Sequence, residues 1–411
     1  MKIKSSIFFK SGITLVVSLL FFSPISSQIK EGRWKGFLKL NDSTQLPFTF
    51  EVWKDSKKYS FTFQNAEESI NTTEINIRKD SVFVKMPVFD SEFKILSFGE
   101  EMTGIWINYA RKDKNIIPFS AYYSPIHEPS QLLRQQDYSY GKWEVTFSPR
   151  SKDSTKAIGL FTARSTHTEG TFLTETGDYR FLEGQFQGDT FHLACFDGSH
   201  AFYFRGQLKG NKILNGHFYS GAHWHETWVA VKNEKFELKN PDSLTYLKPG
   251  FTKVDFNFKN LDGKNVSLQD EKFKNKVVII QIMGTWCPNC MDETKFLAPF
   301  YNKYNSKGLE VVALAFERTD DFKKAVNNIQ RSKTRFNAKY EFLITMKTGK
   351  DQASEALPML NEVMAFPTTI YIDKKGVVRK IYTGFNGPAT GDAHTKFVEE
   401  TTRFVEMLLA E

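Results

Sequence analysis

Apolar and polar residues alternate in short runs through the first two hundred residues. Trp34, Gly36, Leu38 and Leu40 share one face of "WKGFLKL", and "FTFEVW" (48–53) and "YSFTFQ" (59–64) alternate in the same way. A period of two, broken by polar residues, predicts strands, and no helical stripe of useful length interrupts them. After residue 250 the pattern changes. "VVIIQIM" (277–283), "LEVVALAF" (309–316) and "TTIYID" (368–373) are apolar runs of the kind that buried parallel strands show. Helical candidates lie at 288–306, 319–332, 351–364 and 394–410. This alternation predicts a mostly parallel sheet with helices on both faces.

The strand-rich region is written twice. "GRWKG" at 32–36 meets "GKWEV" at 141–145, an offset of 109. "KDSVFV" (79–84) meets "GDTFHL" (188–193) at the same offset, and "PVFDSEF" (87–93) then meets "ACFDGSHAF" (194–202). "MTGIWI" (102–107) resembles "LNGHFY" (214–219) after a small insertion. Several matches in one order predict two related β units of roughly 100 residues, each long enough for a small barrel or sandwich. "SPIHEPSQLLRQQD" (124–137) is the expected linker, and "KNPDSLTYLKPG" (239–250) marks a second boundary. The expected units are therefore 28–124, 138–238 and 249–411.

Composition supports a globular, multidomain chain. Its 411 residues exceed one ordinary domain, 40% are hydrophobic and 25% charged, and 39 are Phe, an aromatic that suits strands. The first 27 residues read as a signal peptide. Lys2, Lys4 and Lys10 make a positive start, Ile13 to Phe22 a short apolar core, and small residues lead to a cut after Ser27. That core is shorter than the ~20 residues of a bilayer span, no Cys stands near the cut for lipidation, and no other span is evident. The mature protein is thus expected to be exported, periplasmic or extracytoplasmic, with no membrane span. Without the three leader lysines, 52 basic residues face 47 acidic ones. That balance is too mild and dispersed to argue for nucleic acid.

Three cysteines do not make a disulfide scaffold. Two of them, Cys287 and Cys290, stand in "GTWCPNC". The strand at 277–283 ends, Gly284 and Thr285 turn, and Cys287 falls at the start of the next helix. Free N–H groups and the helix dipole favour a thiolate there. Such settings bring a thiol pKa from ~8.5 to roughly 3.5–7.5. Pro288 suits the first helical turn, where its missing N–H does no harm. Cys290 follows one turn on, placed to resolve a mixed disulfide formed at Cys287. A lone C-x-x-C also serves as half of a zinc site, but no second pair or neighbouring His cluster accompanies it. A peroxidase reading meets Gly284 where a Thr is needed.

"VVIIQIMGTWCPNCMDE" (277–293) and "AFPTTIYIDKKGVV" (365–378) together resemble the thioredoxin fold, and more closely the exported thiol–disulfide oxidoreductases of the TlpA/ResA type. The resemblance covers about 250–411. It implies that Cys287 is an exposed nucleophile, Cys290 its buried partner, and Pro367 a cis-proline that presents backbone groups to an extended substrate. Trp286, Pro288, Phe366 and Thr368 are the expected substrate contacts around them. Gln281 stands where cytosolic thioredoxins carry a buried Asp. Glu293, three residues after Cys290, matches the acid of the TlpA/ResA pattern, expected to relay a proton to or from Cys290. The 76 residues between Cys290 and Pro367 agree with the extra βα insertion of the exported subfamily. That subfamily often has Pro directly before the second Cys, whereas here it follows the first. The dipeptide tunes the redox potential, so the direction, reductase or oxidase, stays open.

Six of the eight histidines fall in the second repeat: His167, His192, His200, His217, His223 and His225, with Cys195 among them. "AHWHE" puts His223 and His225 on one face if it is a strand. Such donors suit copper, zinc or haem; filling of a β unit is the plainer reading. Asp178 and Arg180 in "TGDYRF" read as a structural ion pair.

These observations predict two all-β barrel- or sandwich-like repeats followed by an α/β thioredoxin fold. The expected activity is protein disulfide reduction of the TlpA/ResA kind on protein substrates bearing thiols or disulfides. No flavin or nicotinamide motif is present, so no cofactor is expected and a separate redox-recycling protein is needed. The alternative is an exported ligand- or metal-binding protein, metallochaperone-like, whose β units hold the ligand and whose dithiol is accessory.

Overall fold

The computed structural model describes residues 29–56, 58–125, 140–164 and 167–411. The expected leader, and most of the expected linker at 124–137, lie outside the described residues.

The first unit is one antiparallel meander. Its strands are β1 (Gly32–Lys39), β2 (Gln45–Asp55), β3 (Lys58–Asn65), β4 (Glu68–Thr72), β5 (Ile75–Arg78), β6 (Ser81–Lys85), β7 (Ser91–Phe98), β8 (Glu101–Asn108) and β9 (Ile116–Tyr123). Their order is β4-β3-β2-β1-β9-β8-β7-β6-β5, so β1 pairs with β9 and the ends of the unit meet. The alternate positions point inward, and the interior is aromatic: Phe48, Phe50, Phe61, Phe63, Phe93 and Phe119 are all buried.

The second unit repeats this plan and closes it. It comprises β10 (Gly141–Phe147), β11 (Thr155–Ala163), β12 (Thr168–Thr174), the two-residue β13 (Gly177–Asp178), β14 (Leu182–Gln187), β15 (Thr190–Phe196), β16 (Ala201–Lys209), β17 (Lys212–Ser220) and β18 (Trp224–Lys232). Here β12 pairs with β11 as well as β14, which completes a ring. Both copies start alike. Gly32 and Gly141 have φ of 116° and 102°, and Trp34 and Trp143, two residues on, are fully buried. The units also share a core. Phe196, at the end of β15, enters the interior of the first sheet, 5.0 Å from the Phe48 ring and 5.2 Å from Trp106. Asn65 fixes it there by bonding both its N–H and its C=O, at 2.9 Å each.

The third unit is a seven-stranded sheet of β19 (Asn257–Asn260), β20 (Asn265–Ser267), β21 (Val277–Met283), β22 (Leu309–Ala315), β23 (Glu341–Ile344), β24 (Thr368–Ile372) and β25 (Val378–Thr383), in the order β20-β19-β23-β22-β21-β24-β25. Helices α1 (Pro288–Tyr304), α2 (Phe322–Phe336), α3 (Gly349–Ala356) and α4 (Asp392–Ala410) complete it. Residues of β21 alternate between two cores. Val277, Ile279 and Met283 pack with α1, α2 and α4, while Val278, Ile280 and Ile282 pack with α3. The helices thus cover both faces, as expected.

The expectation of a mostly parallel sheet is corrected. Only β21–β22 and β22–β23 are parallel, and the other four pairings are antiparallel. A strand buried on both faces reads as one apolar run whichever way it points, so "TTIYID" carries no sign of its direction. The tight turn from Asp373 to Gly376 then sends β25 back beside β24. Among the described residues no helix is long and apolar enough to cross a membrane.

Candidate active site

All seven residues of β21 are buried, which fixes where that strand must end: at the polar turn before α1. Gly284 is required in the turn. A Cβ there stands 2.3 Å from the Trp286 indole nitrogen, because the ring folds back to donate to the Phe316 carbonyl at 2.9 Å. Thr285 is pinned by Glu317, which accepts from its N–H at 2.8 Å and its hydroxyl at 2.7 Å.

Cys287 is the N-cap of α1, with Pro288 at the first helical position. Its sulfur accepts the Cys290 backbone N–H at 3.3 Å and lies 3.4 Å from the Phe366 carbonyl oxygen. An otherwise orphaned N–H at the positive end of the helix therefore points at this sulfur. Both thiols are free. Cys290 is fully buried, and burial pushes its thiol well up.

Glu293 lies one turn below Cys290 and is 1% exposed. Gln281 Nε2 donates to its Oε2 at 2.9 Å and to the Cys290 carbonyl at 3.3 Å. Thr369 Oγ1 donates to Oε1 at 2.5 Å. Burial pushes the Glu293 carboxyl up to about 7, and those two neutral donors only partly offset it. A carboxyl so placed is half-protonated near neutrality. Gln281 thus bridges the acid to the helix turn that carries the dithiol.

The Phe366–Pro367 peptide bond is cis. It lies beside the dithiol, with Phe366 edge-on to Trp286 at 5.6 Å. Two expectations change here. Thr368, read as a substrate contact, is fully buried and donates to the Ala365 carbonyl at 2.9 Å, so it shapes the loop from inside. Cys287, expected to be exposed, is only 7% exposed. The second β unit stands across from this site, a partnership that the residues around Cys287 do not encode.

That partnership is built by the turn between β12 and β14. Gly177 (φ +137°) sits where a Cβ is 2.7 Å from Asn289 Nδ2, and Asn289 donates to the Asp178 carbonyl at 3.2 Å. Asp178 accepts the Gly387 N–H at 2.6 Å and the Arg180 N–H at 2.7 Å. Arg180 then joins all three units. Its guanidinium pairs with Glu68 on β4, lies 3.1 Å from Asp197 after β15, and pairs with Asp292 on α1. It also donates to the Pro288 carbonyl at 3.3 Å. Burial, with Glu68 and Asp178 nearby, pushes Asp292 up to about 7 in spite of Arg180. Ser199 adds a bond to the Trp286 carbonyl at 3.0 Å. The expected Asp178–Arg180 ion pair is therefore corrected: from Arg180, Asp178 accepts only the backbone N–H, and the guanidinium pairs with Glu68, Asp197 and Asp292 of three different segments.

Between the second unit and the dithiol a cleft of about 650 Å³ remains, with Cys287, Pro288, Trp286, Met364 and Phe366 on one wall and Phe147, Tyr179, His200 and Phe202 on the other. The sequence reading missed the second wall, since its aromatics look like ordinary barrel filling.

The histidines of the second repeat do not converge. His223 precedes β18 and is not on a strand face with His225, which instead stacks on His217. His192 bonds the Tyr203 hydroxyl, His200 faces Asp197, and Cys195 is buried in the barrel core. Among the described residues no group of three or more His, Cys, Asp or Glu is placed to hold a metal.

Residues 248–396 match the Redoxin family. Over 172 residues the chain is 30% identical to the thiol-disulfide oxidoreductase ResA of Bacillus thuringiensis subsp. konkukian, a stretch that covers 42% of this chain and 83% of that protein. It is also 30% identical, over 138 residues, to the thioredoxin-like protein YneN of Bacillus subtilis, covering 34% of this chain and 73% of that one. Among solved structures, a thiol:disulfide interchange protein of the thioredoxin family from Chlorobium tepidum TLS is similar at 20% identity. That likeness covers 38% of this chain and 95% of the other, with a TM-score of 0.28. The family match begins after both β units.

Proposed function

Because the chain belongs, through its C-terminal domain, to the ResA-type thiol-disulfide oxidoreductases, we propose that it reduces disulfides in client proteins with Cys287 as nucleophile and Cys290 as resolving thiol. The Cys287 thiolate attacks one sulfur of a client disulfide; that S–S bond breaks and the other client sulfur leaves as a thiolate. Glu293, as carboxylate, takes the Cys290 proton, and Cys290 attacks Cys287. The mixed disulfide breaks, the second client thiolate leaves, and the client has gained two electrons. The protein is left with a Cys287–Cys290 disulfide. The backbone beside cis-Pro367, with Trp286, Pro288 and Phe366, holds the client strand. The observation that carries this reading is the Cys287 sulfur at the mouth of α1, bonded by the Cys290 N–H and flanked by the Phe366 carbonyl.

The leader motif supports work outside the cytoplasm, where a separate protein must return the disulfide to the dithiol. Amino-terminal sequencing of the mature form tests this, with a start near residue 28 expected. The exchange itself is tested by trapping. Cys290→Ser should accumulate clients in mixed disulfide with Cys287 in the native compartment, and Cys287→Ser should trap none and fail to reduce insulin. Equal insulin reduction by Cys287→Ser and wild type defeats the proposal.

A further inference from the structure

A second recess, of about 370 Å³, lies beside the client cleft and shares with it Tyr179, His200, Phe202 and Trp286. All three units wall it. Trp106 and Arg111 come from the first, His200 and His223 from the second, and Trp286 and Arg318 from the third. Arg318 lies over the Trp286 ring, 3.6 Å from its centroid, so the indole next to Cys287 divides cleft from recess.

The recess offers donors and positive charge with little to answer them. Among the described residues, neither Arg111, Arg318 nor Lys114 at the rim is in an ion pair. The acids that face it are otherwise engaged or exposed. Glu226 accepts from Ser148 and Trp224, Asp197 is held between His200 and Arg180, Glu317 beside Arg318 accepts from Thr285, and Asp113, which acts on Arg111, is exposed. Burial lowers both arginines, and Arg111 lowers Arg318 further. Burial and Arg111 together bring His223 down to about 4. Two donors in the walls, Arg111 Nε and the indole N–H of Trp106, are buried with no acceptor among the described residues, and Trp106 is 3% exposed. A buried donor left unpaired is costly, so such a pair marks a place for an acceptor.

We propose that this recess is a specificity subsite for an acidic side chain of the client polypeptide, a few residues from the client cysteine held at Cys287. The inference rests on the exchange reading above. A carboxylate supplies the missing acceptor and the missing negative charge together. The recess shares Tyr179, His200, Phe202 and Trp286 with the cleft that holds Cys287, which makes a client chain the occupant rather than a free anion.

The test uses pairs of disulfide-bearing peptides, the members of each pair differing only by Glu or Gln at one position, with that position placed in turn two, three and four residues from the cysteine. Wild type should reduce one Glu peptide about tenfold more efficiently in kcat/KM than its Gln partner at low salt, as a charge-assisted bond allows, with the gap shrinking as salt rises. Arg111→Gln should cut the preference to under about twofold, and Lys114→Gln, an exposed change with little risk to folding, should reduce it by less. Equal handling of Glu and Gln peptides by wild type overturns the subsite while leaving exchange standing, as does a preference that survives Arg111→Gln. Failure of wild type to reduce either peptide or insulin removes the exchange reading and the subsite with it.

Discussion

Two neighbouring carboxyls on α1, Glu293 buried and Asp292 part-buried, sit in opposite settings. Glu293 looks into the thioredoxin-like domain, where its partners Gln281 and Thr369 are neutral. Asp292, one residue earlier, looks out to the second β unit and meets the Arg180 guanidinium. Adjacent residues on a helix do not share a face, so one turn serves two regions. Burial pushes both acids up to about 7. Only Glu293 lacks a fixed counter-charge, which suits a group that must gain and lose a proton beside Cys290. Asp292 is part of a four-member charge cluster that ties the β units to the site. The contrast teaches that the same shift in acidity can serve chemistry on one side of a helix and assembly on the other.

The harshest way to break this comparison is Arg180→Met. It leaves Asp197 buried with only His200 beside it and Glu68 and Asp292 part-buried without the guanidinium, and should cost about 3–5 kcal/mol in urea unfolding. A loss below about 1 kcal/mol, in the range of an exposed pair, removes the cluster as a joint. Next comes Glu293→Gln, which should lower kcat/KM for insulin reduction by about a hundredfold and erase an inflection near pH 7. The same change sharpens the stability side. The Glu293 carboxyl is raised in the folded state, so its contribution is complete below its ordinary value of 4.5 and is lost as pH rises through about 7. Wild type should therefore lose on the order of 3 kcal/mol across that window that Glu293→Gln does not lose. The smallest effect on exchange is expected for Asp292→Asn. It should alter the pH dependence of stability between the ordinary value of 3.8 and about 7 while the exchange profile keeps its inflection. Loss of that inflection in Asp292→Asn erases the distinction between the two acids.

Much of the redox site is local in sequence and so could be read there. The dithiol, its turn and Glu293 fall within ten residues, and "FPTT" carries its own signature. Gln281 is set by one strand's length. The duplicated β plan was legible because a glycine and a buried tryptophan recur at a fixed offset. What escaped reading depends on contacts between distant segments. Arg180 and Asp292 are 112 positions apart, and so are Glu68 and Arg180. No period or motif connects them, so Arg180 reads as half of a local pair. Arg111 and Arg318 look like ordinary surface charge until three units bring them to one recess. The direction of β24 is hidden for a different reason, since burial on both faces erases the alternation that distinguishes one side from the other.

Phe196 sets an order of events for a chain made from its amino terminus. The first sheet leaves the ribosome first, yet the ring that fills its centre lies more than seventy residues beyond the end of β9, on β15. Until that strand arrives, a pocket lined by phenylalanines stands open to water and to any chaperone that grips greasy surface. The first unit is thus finished only after most of the second has been made, and cutting the gene after β9 should yield a sticky fragment instead of a small soluble domain.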